Sequence, residues 1–98
     1  MYYVYALYNS KHQRRYVGQT SNLAKRLAAH NTHSSEGAKS TAAFDGSWQL
    51  IYQEAVATKS EALKREHYLK TYQGRKLITA ELYRWLLGRE APDHPQKI

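Results

Sequence analysis

The first residues of the chain alternate in a way that predicts a β-strand. In the stretch 2–8, Tyr3, Tyr5 and Leu7 point to one side of an extended backbone. The intervening residues, which point to the other side, are Tyr2, Val4, Ala6 and Tyr8. β-branched and aromatic side chains favour the pleated conformation, so this pattern indicates a strand with two occupied faces.

A second strand is predicted directly after the first. Asn9-Ser10-Lys11 supplies turn-forming side chains, and residues 14–18 resume the extended pattern. Two such runs separated by a short turn are typical of a β-hairpin. We expect the hairpin to carry Tyr3-Val4-Tyr5 on one strand and Tyr16-Val17-Gly18 on the other, with a tyrosine of each on a common face.

The next segment has the spacing of an amphipathic helix. Thr20-Ser21-Asn22 offers capping side chains, and the helix is predicted from about Leu23 to His30. Its predicted apolar stripe consists of Leu23, Ala24, Leu27 and Ala28. Arg26 and His30 are four residues apart, so they are neighbours at the edge of that stripe.

The middle of the chain is predicted to be a long loop followed by a third strand. Residues 31–47 are polar and rich in small side chains around Gly37-Ala38-Lys39, and loops of this length are often functional. Residues 48–56 have the composition of a strand. Its candidate core residues are Trp48, Leu50, Tyr52 and Ala55.

Two further helices complete the pattern. Thr58 and Glu61 fit a capping box, which predicts a helix to about Tyr72 with Gly74 as its stop. A last helix is predicted over residues 76–87, ended by Gly88 and Pro92. Its apolar positions are Leu77, Ile78, Leu82, Trp85 and Leu86. We therefore expect one domain over residues 1–88 and a C-terminal tail over 89–98.

Length and composition exclude several classes of protein. A chain of 98 residues with 42% hydrophobic residues suits one domain with a modest core. The chain has no cysteine, which excludes a disulfide scaffold, a thiolate zinc site and a cysteine nucleophile. No signal-peptide pattern or bilayer-spanning stretch occurs, so we expect a cytoplasmic protein without a membrane association.

The charge balance favours a polyanionic partner. The formal net charge is +7, and basic side chains mixed with tyrosines are typical of surfaces that follow a nucleic-acid backbone. The candidate nucleic-acid-binding residues are Lys11, Arg14, Arg15, Lys25 and Lys39. Charge alone is equally compatible with a basic, solvated surface.

Glu66 is the main anomaly in the pattern. The predicted buried stripe of its helix consists of Ala62, Leu63, Glu66 and Leu69, and a carboxylate there loses hydration unless a positive group meets it. One interpretation is structural: Glu66 forms an ion pair with Lys70, four residues later, or its side chain leans off the stripe into solvent. The other is a ligand for Mg²⁺, which one or two carboxylates hold together with waters and substrate phosphate.

The remaining polar candidates also have two interpretations. Arg26 and His30 are either the solvated flank of a helix or a phosphate-binding arginine beside a proton carrier. The tyrosines are either packing residues or groups that orient or deprotonate a water. Since a free tyrosine has a pKa of about 10, the second role needs a metal or an arginine nearby.

In their order and spacing, these residues resemble the GIY-YIG nuclease family, especially small stand-alone members similar to the N-terminal domain of the excision-repair nuclease. The two name-giving motifs match Tyr3-Val4-Tyr5 and Tyr16-Val17-Gly18, with Tyr3 where the family has glycine. The other matching segments are Lys25-Arg26-Leu27 with His30-Asn31, Gly37-Ala38-Lys39, and residues 60–66 with Glu66 at the end.

The resemblance implies an α+β fold, with a three-stranded antiparallel sheet flanked by helices. It also implies a divalent-metal-dependent endonuclease that hydrolyses DNA phosphodiester bonds, with Mg²⁺ or Mn²⁺ as cofactor. By the same resemblance, Tyr5 would contact the attacking water and Tyr16 would support the phosphate or that water. Arg26 would hold the scissile phosphate, His30 would assist proton transfer and Glu66 would hold the metal.

The expected partners follow from the same resemblance. We expect DNA rather than RNA as the substrate. We also expect the chain to have no separate DNA-binding domain of the kind that targets many relatives, so a partner protein is a candidate for directing it to DNA. We expect a monomer or a weak dimer. The alternatives are a nucleic-acid-binding module without useful activity and a protein-interaction domain that uses Leu82, Trp85 and Leu86.

Overall fold

The computed structural model describes residues 1–33 and 38–90. The strands are β1 (Tyr2–Asn9), β2 (Arg14–Thr20) and β3 (Gln49–Val56). The helices are α1 (Leu23–Asn31), α2 (Lys39–Ala42), α3 (Lys59–Leu69) and α4 (Tyr72–Glu90). This confirms the predicted α+β fold with a three-stranded antiparallel sheet.

The sheet has the order β2-β1-β3, so the first strand of the chain is its centre. Tyr5 of β1 lies opposite Gly18 on one side and Gln53 on the other. The predicted alternation of β1 is confirmed because its two sets of side chains enter two different cores. A central strand covered on both faces explains why so few polar residues occur in it.

One core lies between the sheet and the pair α3 and α4. It contains buried residues from the sheet and from both helices: Val4, Ala6, Tyr8, Ile51, Ala62, Leu69 and Ile78. The apolar stripe predicted for the last helix packs against it through Leu77, Leu82, Trp85 and Leu86. The C-terminal helix is therefore part of the domain core.

The second core lies on the opposite face of the sheet. Tyr5, Leu7 and Trp48 are buried in it, and Leu23 and Leu27 of α1 pack against them. The predicted stripe of α1 is only half right, because Ala24 and Ala28 are exposed. The buried face of α1 is completed by His30, which is 0% exposed.

The segment predicted to be one long loop contains a short helix. The helix α2 occupies residues 39–42, while Gly37 of the predicted Gly37-Ala38-Lys39 loop lies outside the described residues. In the strand that follows, Ile51 is buried and Ala55 is exposed, so the prediction of Ala55 as a core residue was wrong. Trp48, also predicted in the core, is buried just before β3 begins.

The boundary between the last two helices differs from the prediction. α3 has the predicted capping box at Thr58 but ends at Leu69. Gly74 lies inside α4, where an added Cβ would come within 2.2 Å of the Tyr68 carbonyl oxygen. Gly74 is thus required by the close approach of two helices, and its interpretation as a helix stop was wrong.

Two other expectations about these helices need correction or remain open. Leu63 of the predicted buried stripe is 48% exposed. α4 continues through Gly88 to Glu90, so Gly88 does not end it. Pro92 and the other residues of 91–98 lie outside the described residues, and the division of the chain at residue 88 stays a prediction. None of the described helices has both the length and the apolarity needed to cross a bilayer.

Candidate active site

The hairpin brings the two motif tyrosines together on one face of the sheet. The ring centroids of Tyr5 and Tyr16 are 6.2 Å apart. Gly18, opposite Tyr5, leaves the space that both rings use: a Cβ there would be 2.7 Å from Tyr16 Cε2 and 2.9 Å from Tyr5 Oη. Steric exclusion by the two tyrosines is therefore the physical reason for glycine in the second motif.

Helix α1 places two polar side chains next to the hydroxyl of Tyr5. Asn22 caps the helix by accepting from the backbone N–H of Lys25, which fixes where the first turn begins. Arg26 Nε then donates to Tyr5 Oη at 3.2 Å, and His30 Nε2 lies 2.8 Å from the same oxygen. The spacing of four residues places both groups on one side of α1.

The hydrogen bonds around His30 define its tautomer. Thr41 Oγ1 donates its one proton to the Ala38 carbonyl at 3.1 Å, so it can only accept from His30 Nδ1, 2.8 Å away. Nδ1 of His30 therefore carries the proton and Nε2 is the acceptor. It follows that the Tyr5 hydroxyl donates to His30 Nε2 and accepts from Arg26.

Burial and charge set the protonation states of this cluster. Burial raises the pKa of Tyr5 to about 12, although its hydrogen bond from Arg26 acts in the opposite direction. Burial and the positive charge of Arg26 lower the pKa of His30 to about 4. At neutral pH the phenol and the imidazole are both neutral, and Arg26 is the charged member.

Arg26 stays firmly protonated in this environment. Burial works to lower the pKa of its guanidinium, but its interactions with the hydroxyls of Tyr5 and Tyr16 outweigh that effect and raise the pKa. Arg26 also lines a depression at the start of α1, together with Lys25, Asn22 and Thr20. The cluster therefore presents one fixed cation at a surface that an anion can reach.

Glu66 lies near this cluster and is engaged elsewhere. Its carboxylate accepts from Lys70 Nζ at 2.7 Å, and its side chain is 21% exposed. Its negative charge is one of the causes that raise the pKa of Tyr5, so its field reaches the phenol. The structure thus contains the predicted ion pair and also brings the carboxylate close to the tyrosines.

The donor chemistry around Glu66 fits a hard divalent cation such as Mg²⁺ better than Zn²⁺. Among the described residues, no group of three or more His, Cys, Asp or Glu side chains is arranged to hold a metal ion. A multidentate zinc-type site is thus not formed by that part of the chain. Mg²⁺ keeps several waters and needs only one or two carboxylates, so a single Glu66 beside a phosphate site fits it.

The predicted nucleic-acid-binding residues are spread over a wider surface. Lys11 in the β1–β2 turn pairs with Asp45, and the Arg14 guanidinium lies 4.8 Å from the centroid of Phe44. Arg15 donates to Thr79 Oγ1 on α4. Lys25 is adjacent to Arg26, whereas the side chain of Lys39 lies outside the described residues.

The sequence reasoning missed Thr41, which is 1% exposed and orients His30 through Nδ1. A threonine in a polar, small-residue segment has no local pattern that marks it as a partner of a histidine eleven residues earlier. The burial of His30 was also missed, because on the helical pattern it lay at the edge of the stripe. Its polar neighbours on β1 and α2 explain how a histidine is satisfied there.

The titration of His30 predicts an acid-sensitive fold. Since the folded state favours the neutral imidazole, its contribution is complete above the unfolded pKa of about 6.5 and is lost as the pH falls toward the folded pKa of about 4. We expect the free energy of unfolding to fall by about 3 kcal/mol over that interval. Urea titrations at several pH values measure it.

The matched variants are His30→Gln and His67→Gln, the latter at an exposed position on α3. His30→Gln is expected to be less stable than the wild type at neutral pH and to lose most of the pH dependence. His67→Gln is expected to keep it. An unchanged pH dependence in His30→Gln would contradict the assignment of this titration to the buried imidazole.

Comparison with known proteins identifies several similar sequences. A UPF0213 protein of Staphylococcus saprophyticus is 43% identical over 63 residues, which cover 64% of this chain and 73% of the relative. A UPF0213 protein of Staphylococcus haemolyticus is 39% identical over 71 residues, covering 72% and 82%. One of Clostridium perfringens is 44% identical over 70 residues, covering 71% of each.

No solved structure gives a significant match to the chain. The family model of the GIY-YIG catalytic domain matches residues 1–78, a range that includes Tyr5, Tyr16, Arg26, His30 and Glu66. It also includes all three strands and the helices that carry the polar cluster. The chain therefore belongs to the GIY-YIG family of nuclease domains.

Proposed function

We propose that this protein is a divalent-cation-dependent, structure-directed endonuclease that hydrolyses DNA phosphodiester bonds. The observation that carries the proposal is the contact of Arg26 and His30 with the same Tyr5 oxygen, at 3.2 Å and 2.8 Å. A cation, a phenol and a neutral imidazole in direct contact are the groups needed to hold a phosphate and to move a proton beside it.

Arg26 is the proposed ligand of the scissile phosphate. Its Nε is used by Tyr5, which leaves the terminal guanidinium nitrogens for phosphate oxygens. Lys25 lines the same depression and adds positive charge at its rim. A preorganised guanidinium stabilises the charge that develops on the phosphate without the reorganisation that water would require.

Tyr5 and His30 form the proposed proton path. Since the phenol donates to Nε2, a proton that leaves Tyr5 passes directly to His30. The pKa of Tyr5, raised to about 12 by burial, makes a free phenolate costly. We therefore expect Tyr5 to take a proton from the attacking water as it gives its own to His30. Burial and the charge of Arg26 lower the pKa of His30 to about 4 in the free protein, and the negative charge of the bound phosphate would offset that of Arg26. As Tyr5 is fully buried, that water reaches it between Tyr16 and Arg26, which are partly exposed.

Glu66 is the proposed holder of the cation. Mg²⁺, or Mn²⁺ in its place, would neutralise negative charge on the phosphate group when bound. The Glu66 carboxylate must exchange its bond to Lys70 for that interaction. An exposed pair of this kind is worth only a few tenths of a kcal/mol, about 0.3–0.5, so the exchange is inexpensive.

Cleavage assays with supercoiled plasmid, flap DNA and branched DNA test this function. We expect strand breaks with Mg²⁺ or Mn²⁺, none with EDTA, and slower cleavage of an RNA flap of the same sequence. Equal cleavage of linear duplex and flap DNA would contradict the structural preference. Salt-sensitive binding without strand breaks under any of these conditions would instead establish a nucleic-acid-binding module.

A further inference from the structure

A second basic cleft lies on the other side of Tyr16, between β2 and the junction of α3 with α4. Its volume is about 530 Å³, and Arg15, Lys70 and Arg75 line it over an apolar floor that includes Leu69 and Ile78. We infer that this cleft binds the backbone phosphate next to the scissile one in the same DNA strand. The inference rests on the proposed function, because it assigns the path of that enzyme's substrate.

Arg15 and Arg75 in the cleft are not paired with a carboxylate of the described part of the chain, whereas Lys70 is paired with Glu66. The lining residues of the cleft include no Asp or Glu. Arg15 donates to the neutral hydroxyl of Thr79, and the Arg75 side chain forms no ion pair with any described residue. Like charges gathered in one concave surface repel each other and raise the local concentration of anions.

Two contacts connect this cleft with the candidate active site. Tyr16 lines the cleft, while its ring centroid lies 4.9 Å from that of His30 and 6.2 Å from that of Tyr5. Lys70 lines the cleft and donates to Glu66. An occupant of the cleft would therefore be separated from the Tyr5 cluster by the ring of Tyr16.

A backbone phosphate suits this cleft better than an isolated anion or an acidic peptide. Arginine pairs with phosphate through two parallel N–H donors, and Lys70 provides a point charge beside it. The lining also includes Val17, whose partly exposed apolar side chain offers contact to a sugar rather than to a second charge. A DNA strand whose scissile phosphate lies at Arg26 and which crosses Tyr16 would place its next phosphate in the cleft.

Arg75→Gln tests the inference, since Arg75 is exposed and its replacement leaves the core unchanged. The matched control is Lys64→Gln, which removes the same charge from an exposed site beside Glu54 and Glu61. Fluorescence anisotropy measures binding of a labelled flap DNA in EDTA over a range of salt concentrations. The absence of metal prevents cleavage, so binding is measured whether or not the protein is a nuclease.

We expect Arg75→Gln to weaken binding about tenfold and to lower the slope of log affinity against log salt by about one, as for the loss of one phosphate contact. Lys64→Gln should change neither by a comparable amount. Equal effects of both variants would overturn the inference, because they would reflect net charge alone. Circular dichroism confirms that the variants are folded.

Flap DNAs in which single phosphates are replaced by neutral methylphosphonates locate the contact. At one position, neutralisation should weaken the wild type about tenfold and leave Arg75→Gln unaffected. The same experiment with Arg26→Gln should identify a second phosphate, directly adjacent in the strand, whose neutralisation weakens the wild type but not that variant. The assignment would be overturned if the Arg75→Gln variant responded to every neutralised phosphate as the wild type does, or if the one exception were remote from the phosphate assigned to Arg26. It would also be overturned if Arg75→Gln changed only the competition by inorganic phosphate and not the affinity for DNA.

Discussion

Replacing Arg26 with alanine is expected to lower the rate of cation-dependent DNA cleavage by about 10³. The reason is that Arg26 is the charged member of the Tyr5 cluster, and both of its proposed functions would be lost together. The phosphate loses a fixed bidentate donor, and the Tyr5 oxygen loses the donor that favours release of its proton. Single-turnover cleavage of a labelled flap DNA measures the rate.

Two variants separate these effects from a simple loss of charge. Arg26→Lys keeps the charge but lacks the Nε–H that contacts Tyr5, so we expect cleavage to remain about 10²-fold reduced. Lys25→Ala removes a neighbouring exposed cation and is expected to weaken binding only several-fold. If Arg26→Lys cleaved DNA at the wild-type rate, the contact between Arg26 and Tyr5 would have no part in the reaction.

The sequence predicted the elements whose signals are local. The alternation in residues 2–8 identified both faces of β1 because a central strand is buried on both sides. Thr58 and Glu61 identified the start of α3 because a capping box is a short-range arrangement of side chain and backbone. The resemblance to the family motifs then predicted that Tyr5, Tyr16, Arg26 and Glu66 belong to one site.

What escaped prediction depends on contacts between distant segments. Gly74 had the sequence context of a helix stop, yet its role is set by the approach of Tyr68 and Leu69 from the preceding helix. The tautomer of His30 depends on Thr41, which a periodic pattern cannot connect to α1. The neighbours of a buried polar side chain are a tertiary property, so a single sequence contains no direct signal for them.

The arrangement of charges explains how a small domain assembles such a site. Tyr5 and His30 are neutral when buried, so the fold does not bear the cost of burying an ion pair. The two charged groups, Arg26 and Glu66, lie at partly exposed positions. The two fully buried groups are those proposed to exchange a proton, while the groups proposed to meet phosphate and cation keep access to solvent.

Glu66→Gln is expected to reduce cation-dependent cleavage by about 10² or more, since it removes the negative charge proposed to hold the cation and keeps the shape of the side chain. Binding of Mn²⁺ in the absence of DNA, measured by calorimetry, should weaken in parallel. The matched control is Glu81→Gln, because Glu81 is 24% exposed and forms an ion pair with Arg84 three residues later, much as Glu66 does with Lys70.

Lys70→Gln gives the opposite expectation for the cation. Since Lys70 Nζ donates to the Glu66 carboxylate at 2.7 Å, it competes with any metal for the same oxygens. Removing it should tighten Mn²⁺ binding about twofold, in keeping with the small free energy of such a pair. Glu81→Gln should leave both cleavage and Mn²⁺ binding unchanged. Undiminished cleavage in Glu66→Gln, or Mn²⁺ binding equal in all three variants, would show that the cation is held elsewhere and that Glu66 serves only its pair with Lys70.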